Sequence, residues 1–271
     1  MIQAMLTRQS SRSFTRDSLK QKREMIDQIL RDSKMGPLGH PIDLLRVSPL
    51  ELKKQGIGQL ATFGVISGNT EYLFGIIPNT RAGLVNYGYA MEKVAISLWK
   101  EGIGSCWLGG SFKKSKLEAL YLMKETRSIP AVLAIGIPHK DQSMVERVVK
   151  LKTRPVNRKP FSDLFFDRGF HQALLIKPNS KWETIFTCVQ RAPSARNAQP
   201  WRIVREYNAY HFYLRTREET NLNRIDMGIA ICHFDLARME LGIEGNWRVT
   251  RPLENQNYKY FISFVKEKEW A

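Results

Sequence analysis

The chain repeats itself, and the repeat limits what it can fold into. Residues 24–46, EMIDQILRDSKMGPLGHPIDLLR, lie without a gap over residues 183–205, ETIFTCVQRAPSARNAQPWRIVR. Glu24/Glu183, Ile26/Ile185, Pro41/Pro200 and Arg46/Arg205 match, and Leu30/Val189, Leu44/Ile203 and Leu45/Val204 are similar. Residues 86–107 likewise lie over 226–247, where Gly88/Gly228, Ala90/Ala230, Gly102/Gly242, Ile103/Ile243 and Trp107/Trp247 coincide. An ordinary helix-and-strand pattern does not readily supply Gly-Ile followed four residues later by Trp in both places. We read two copies of one unit, the second shorter between the blocks. A tandem repeat of half-domains is what a fused homodimer looks like, and ligand sites often lie between subunits. Once fused, one site can be kept and its mate lost.

Periodicity sketches the unit. Met25, Ile26, Ile29 and Leu30 form a helical face, as do Ile185, Phe186 and Val189. After a Pro-containing loop come short apolar strands near 42–47 and 201–205, and YHFYLR at 210–215 alternates like a strand. Met91, Val94, Ala95, Leu98 and Trp99 give a central helix, mirrored by Ile231, Phe234, Ala237 (or Leu236), Met239 and Leu241. Gly102 and Gly242 sit where a helix end wants a left-handed residue. Residues 130–137 and 258–265 read as buried strands. The expected class is α+β, with half-domains at 1–165 and 166–271 joined in one compact unit.

The net charge of +16, from 42 Lys and Arg against 26 Asp and Glu, invites nucleic acid, an acidic membrane or an anionic ligand. No block of five or six basic residues, zinc-finger spacing, KH loop or RNP strand supports nucleic acid. No stretch approaches the roughly 20 apolar residues of a membrane helix, and the N-terminus has no signal-peptide core. Cys106, Cys188 and Cys232 make neither a metal site nor a disulfide framework. The expectation is a cytoplasmic monomer with no metal. Of the five histidines, His233 reads as a packed residue, and only His40 lies on a loop worth testing.

Three segments carry ligand chemistry. In a strand-like conformation Arg8, Ser10 and Arg12 share a face, and guanidinium forks suit phosphate oxygens. A second basic cluster, Arg154–Phe161, closes the first half; the two together suit one phosphate monoester, or each is a solvated basic arm. The glycines of Gly102–Gly110 let a backbone approach a planar ligand, and the amides after Trp107 can donate to a ring edge. Cys106 within it reads as a structural thiol. The loop Ala192–Trp201 bears Ser194, Asn197 and Gln199, an amide-rich edge for a heteroaromatic ring or ribityl chain, or a plain structural loop.

With these residues in view, the sequence resembles the FMN-dependent nitroreductase superfamily, in its single-chain branch of two tandem half-domains (the TM nitroreductase type). Arg8-x-Ser10-x-Arg12-x-Phe14 is similar to that family's phosphate signature, and Pro193-Ser194-x-x-Asn197-x-Gln199-Pro200-Trp201 to its flavin loop. Residues 104–110 resemble the stretch whose amides reach flavin N5 and O4, and Arg158-Lys159-Pro160 the basic segment completing the phosphate site. The resemblance implies a nitroreductase-like pseudo-dimer with one retained FMN site. That site comprises Arg8, Ser10, Arg12, Trp107, Leu108, Gly109, Gly110 and Arg154 or Arg158, facing Pro193, Ser194, Asn197 and Gln199. The first-half loop GPLGHP lacks the PSxxN pattern, so the symmetry-related site is expected to be empty. Thr7 stands where many relatives carry a further Arg.

The implied activity passes electrons from NAD(P)H through FMN to a small acceptor such as a nitroaromatic or quinone. No catalytic side chain is demanded; Arg196 and Arg202 are candidates to stabilise the anionic reduced flavin. The competing readings are a flavin- or nucleotide-binding module without turnover and, less favoured, a basic nucleic-acid binder.

Overall fold

A computed structural model describes residues 1–62, 64–122, 126–139, 158–250 and 257–267. Arg154, one of the expected phosphate ligands, lies outside the described residues.

The first half contains α1 (Ile2–Thr7), α2 (Arg23–Asp32), β1 (Asp43–Val47), α3 (Pro49–Lys54), β2 (Glu71–Pro78), α4 (Arg81–Lys100), β3 (Gly104–Leu108), α5 (Lys114–Leu120), β4 (Arg127–Ser128) and β5 (Val132–Gly136). Then come α6 (Phe161–Leu164), β6 (Phe165–Asp167), α7 (Lys181–Arg191), β7 (Trp201–Glu206), β8 (Ala209–Arg215), α8 (Asn221–Glu240), β9 (Gly245–Arg248) and β10 (Tyr258–Lys266).

The strand order β1-β2-β5-β3 of the first sheet returns as β7-β8-β10-β9 in the second. Both runs are antiparallel throughout. Each sheet adds one strand of its own: β4 pairs with β2, and β6 joins β7 in parallel. The repeat seen in the sequence is therefore a repeat of topology. Its length difference lies largely in one connection: residues 48–70, including α3, join β1 to β2, whereas residues 207–208 suffice between β7 and β8.

The helices α4 and α8, each of 20 residues, form the centre. Thr80 and Thr220 cap their N-termini by accepting from the backbone N–H of Gly83 and Asn223. Gly102 (φ 73°) and Gly242 (φ 66°) terminate them in the left-handed conformation that glycine adopts without cost. Both helices are apolar around most of their circumference, as a helix with no solvent face must be, and one core joins them to the inner faces of both sheets. The outer face of the first sheet carries its own core, covered by Leu52 of α3 and Leu117 of α5. The outer face of the second sheet, with no such helices among the described residues, holds a smaller cluster of Phe166, Val204, Tyr213 and Tyr260. Among the described residues no helix is long and apolar enough to cross a membrane.

Candidate functional site

The N-terminal segment is held along the first sheet. The chain leaves α1 at Arg8 and runs extended beside β3, where Ser11 N–H donates to Ser105 O at 2.9 Å. Ser67 N–H donates to Arg12 O and Phe14 N–H to Ser67 O, both at 2.9 Å. Ser11 and Ser13 are buried while Ser10 and Arg12 are half-buried. This is the alternation of a strand, and Ser10 and Arg12 share a face as expected.

Arg8 is drawn inward. Its side chain is 4% exposed, and Nη2 lies 3.3 Å from Oε1 of Glu92, a carboxylate with no exposure at the middle of α4. Glu92 also accepts from Trp107 Nε1 at 2.8 Å and lies 3.0 Å from His233 Nε2. Burial alone would raise the Glu92 carboxyl; the Arg8 charge and the bonds from His233 and Trp107 outweigh it and hold the group below its ordinary value. His233 is packed as its sequence context suggests, its Nδ1 at 2.8 Å from Cys188 O. Arg8 keeps one terminal nitrogen, Nη1, buried and without a hydrogen-bond partner. Ser105 Oγ, on the strand against which Ser10 and Ser11 lie, is likewise buried and unpartnered.

Arg158 connects this group to the second half. Its Nη1 donates to Ala192 O at 2.7 Å and Asn197 Oδ1 at 3.1 Å, and its Nη2 to Arg191 O at 2.9 Å. Burial, then the positive charges of Arg8 and Arg191, push Arg158 down to about 10, with Glu92 opposing. Among the described residues, Arg8, Arg158 and Arg191 thus share one neighbourhood with the Glu92 carboxylate. The structure brings Arg8, Arg158 and Asn197 together, although they are far apart in sequence.

The loop after α7 is built with unusual backbone. Arg196 (φ 52°), Asn197 (φ 55°) and Gln199 (φ 46°) are all left-handed without being glycine, a conformation costing on the order of 1 kcal/mol each. Side chains hold it. Ser194 Oγ accepts from Gln199 N at 2.9 Å, Gln199 Oε1 from Lys159 N at 2.9 Å, and Asp226 Oδ1 from Ala195 N at 3.0 Å. Ser194 and Gln199 fix the loop, and Gln199 faces inward. Asp226 was not singled out from the sequence. The repeat offers the signal, since it stands opposite Asn86, whose Oδ1 accepts from Leu38 N at 3.0 Å in the first-half loop. Asp226 is buried with Oδ2 unpartnered, and burial pushes its carboxyl up to about 8 against the bond from Ala195. Glu92 was missed too; a lone acid within the apolar face of α4 was the available sign.

Trp107 packs its ring edge-on against Tyr87. Leu108 is buried in the outer core of the first sheet. Gly109 lies against α8: a Cβ there would sit 2.7 Å from Leu222 Cδ2, while a Cβ on Gly110 would meet nothing within 4 Å. The glycine stretch therefore meets the first turn of the other half's central helix. Pro193 is half-buried at the start of the loop. Cys106 is buried on β3. His40 is exposed, its carbonyl 3.5 Å from Asn86 Nδ2.

Arg196 and Arg202 take different places relative to this neighbourhood. Arg196 is exposed on the loop beside Asn197. Arg202 alternates on β7 with Trp201 and Ile203, which enter the central core, so its side chain takes the outer face of the second sheet with Val204.

Residues 1–238 match the family model described as Putative TM nitroreductase. A crystal structure of a putative nitroreductase from Thermotoga maritima superposes with a TM-score of 0.60 at 16% identity, covering 97% of this chain and 92% of that one. Shorter matches cover about half of this chain. A nitroreductase family protein from Clostridium novyi aligns at 18% identity over 52% of this chain and 88% of its own, with a TM-score of 0.43. A putative nitroreductase in complex with FMN from Desulfovibrio desulfuricans aligns at 19% identity over 54% and 93%, with a TM-score of 0.42. No curated protein matches. With the match spanning most of the chain and a fold shared end to end with the Thermotoga protein, the chain belongs to the TM nitroreductase family, a family of oxidoreductases.

Proposed function

We propose that the protein is an FMN-dependent oxidoreductase that takes electrons from NAD(P)H and passes them to a small acceptor such as a nitroaromatic or quinone. One observation carries the reading. Arg8 presents a buried, unpartnered Nη1 near Arg158, Arg191 and the Glu92 carboxylate, where the N-terminal segment meets the loop of the second half. A buried donor without an acceptor is costly, and an FMN phosphate supplies both the acceptor and the missing negative charge.

In this reading Arg8, Ser10, Arg12 and Arg158, with Arg154, hold the phosphate. The backbone of Trp107, Leu108, Gly109 and Gly110 borders the ring, and Pro193, Ser194 and Asn197 close it from the other half. Bound FMN supplies the electron-carrying chemistry; the chain supplies position. Glu92 fixes the Arg8 guanidinium and the Trp107 indole on one buried carboxylate. Ser194, Gln199 and Asp226 hold the strained loop in shape. The half-domains 1–165 and 166–271 act as one monomeric pseudo-dimer. The first-half loop, with Leu38 where the second has Asn197 and the Asn86 carboxamide against Gly36, leaves the mirror position without a ligand.

Purified protein incubated with FMN, desalted and scanned in the visible tests this directly. Retained flavin that NADH or NADPH bleaches and menadione restores is the expected result. Retained flavin without turnover would make the protein a binding module, and protein that ignores FMN would overturn the reading.

A further inference from the structure

A second group of cations lies on the outer side of the second sheet and borders the Ala192–Trp201 loop at Ala198 and Pro200. Lys159, Arg202, Arg215 and Arg217 line a cleft of about 550 Å³ together with Asn223 and Tyr258, a size suited to a small organic ligand. Arg202 forms the innermost part. It is 1% exposed. Its Nη1 donates to the carbonyls of Gln199 at 3.0 Å and Trp201 at 2.6 Å, but Nε is buried with no partner. Among the described residues Glu219 pairs with Arg81, Arg224 and Lys259, and Asp167 with Arg205, while Asp163 acts on Lys159 and Arg202 without a salt bridge to either.

Burial and then the charges of Arg202 and Arg215 push Lys159 down, with Asp163 opposing weakly. Burial and then Arg215 push Arg202 down to about 10, with Tyr258 and Asp163 opposing. Arg158 and Lys159 are neighbours in the chain, yet they answer to different charges. Arg158 belongs with Arg8, Arg191 and Glu92; Lys159 belongs with Arg202 and Arg215. The repeat shows that the buried cation is no requirement of the scaffold. The first-half counterpart of Arg202 is Asp43, whose side chain is 73% exposed. A guanidinium buried on a sheet face, bonded to carbonyls and with Nε unpartnered, is a costly residue to keep, and an anionic ligand accounts for it.

Two further features narrow the ligand. Asn223 lies in the first turn of α8, the positive end of a 20-residue helix. Tyr258, stacked on Phe170 with ring centroids 3.6 Å apart, gives the cleft a rigid aromatic wall.

We propose that this cleft binds a nucleoside diphosphate, its phosphates among Lys159, Arg202, Arg215 and Arg217, on the far side of the loop assigned to FMN from the Arg8 and Arg158 cations. The experiment is isothermal titration of the full-length protein at low salt with ADP and, separately, with inorganic pyrophosphate. Saturable binding of both is expected, with ADP the tighter. An Arg215→Gln/Arg217→Gln double variant, altering only exposed side chains, should weaken both at least tenfold while retaining FMN like the parent. Arg202→Met should abolish binding; should it fail to fold, the exposed pair still decides. Absence of saturable binding to the parent, or binding that survives the double variant and disappears in Arg8→Gln, overturns the proposal. Pyrophosphate binding with no gain from the adenosine would overturn the nucleotide assignment. A protein that takes ADP here but no FMN would defeat the flavin reading and leave this one standing.

Discussion

Gly88 and Gly228 occupy the same place in the two halves, and each lies against the other half's central helix. A Cβ on Gly88 would sit 2.1 Å from Ile225 O, and a Cβ on Gly228 would sit 2.0 Å from Val85 O. Val85 and Ile225 are themselves matched by the repeat, so α4 and α8 cross with one surface used twice, as the two sides of a two-fold contact are. The crossing sets the distance between the sheets and so brings the N-terminal segment of one half to the loop of the other.

Gly88→Ala should therefore act on the whole molecule. The new methyl meets backbone, which cannot swing aside, and overpacking of this kind costs about 1–3 kcal/mol or more. Thermal unfolding should show a clear fall in Tm, and Gly228→Ala should behave alike. A Tm unchanged in either variant would mean that the helices do not approach this closely.

Glu92→Gln keeps the shape of the side chain and removes its charge. Arg8 then loses its buried counter-ion, a change of about 3–5 kcal/mol when one partner of a buried pair is removed. The folded Glu92 carboxyl lies below its ordinary value. Its stabilisation is therefore present above the unfolded value and lost as pH falls through the folded one. Parent and variant should differ most in Tm near neutrality and converge at acid pH. A constant difference down to acid pH would contradict the ion pair.

Asp226 runs the other way. Its folded value is raised to about 8, so the folded state holds a proton that the unfolded state releases at a lower pH. Stability should fall as pH rises from the ordinary carboxylate range towards 8, by an amount on the order of a few kcal/mol. Asp226→Asn gives the second half the residue that Asn86 provides in the first, and it should flatten that slope. Tm measured across pH 5–8 checks it; an equal slope in parent and variant would show that Asp226 is ionised throughout.

Arg158→Gln separates ligand binding from scaffold. Arg158 bonds the last carbonyls around the end of α7, so a stability loss of about 1–2 kcal/mol is expected. If it also holds the phosphate, the FMN dissociation constant measured by fluorescence quenching should rise at least tenfold at a temperature where the variant remains folded. An unchanged constant would remove Arg158 from the site.

Much of the fold was legible in the sequence because the repeat is a pattern of whole elements. Matched glycines mark matched helix ends at Gly102 and Gly242, and the runs around 132–136 and 258–266 became sheet strands as expected. The site was legible in part. Motif spacing pointed to Arg8, Arg158 and Asn197, and the fold brings them together. It could not show that Arg8 turns inward, because its partner Glu92 lies on another element and only tertiary packing joins them. Arg202 is a sequence candidate to stabilise anionic reduced flavin, but strand alternation on β7 sends its side chain to the outer face of the second sheet. Gln199 offers an amide to a ligand by its spacing, whereas in the fold its Nε2 donates to Asn197 O and its Oε1 accepts from Lys159 N.

The most direct test of the central claim is the stoichiometry of flavin retained after reconstitution and desalting, read from the visible absorbance against protein concentration. One FMN per chain is the predicted result, held by the single junction at which Arg8 and Arg158 meet the second-half loop. Two per chain would show that the mirror position is also a site, and none would show that these cations were assembled for something other than a flavin.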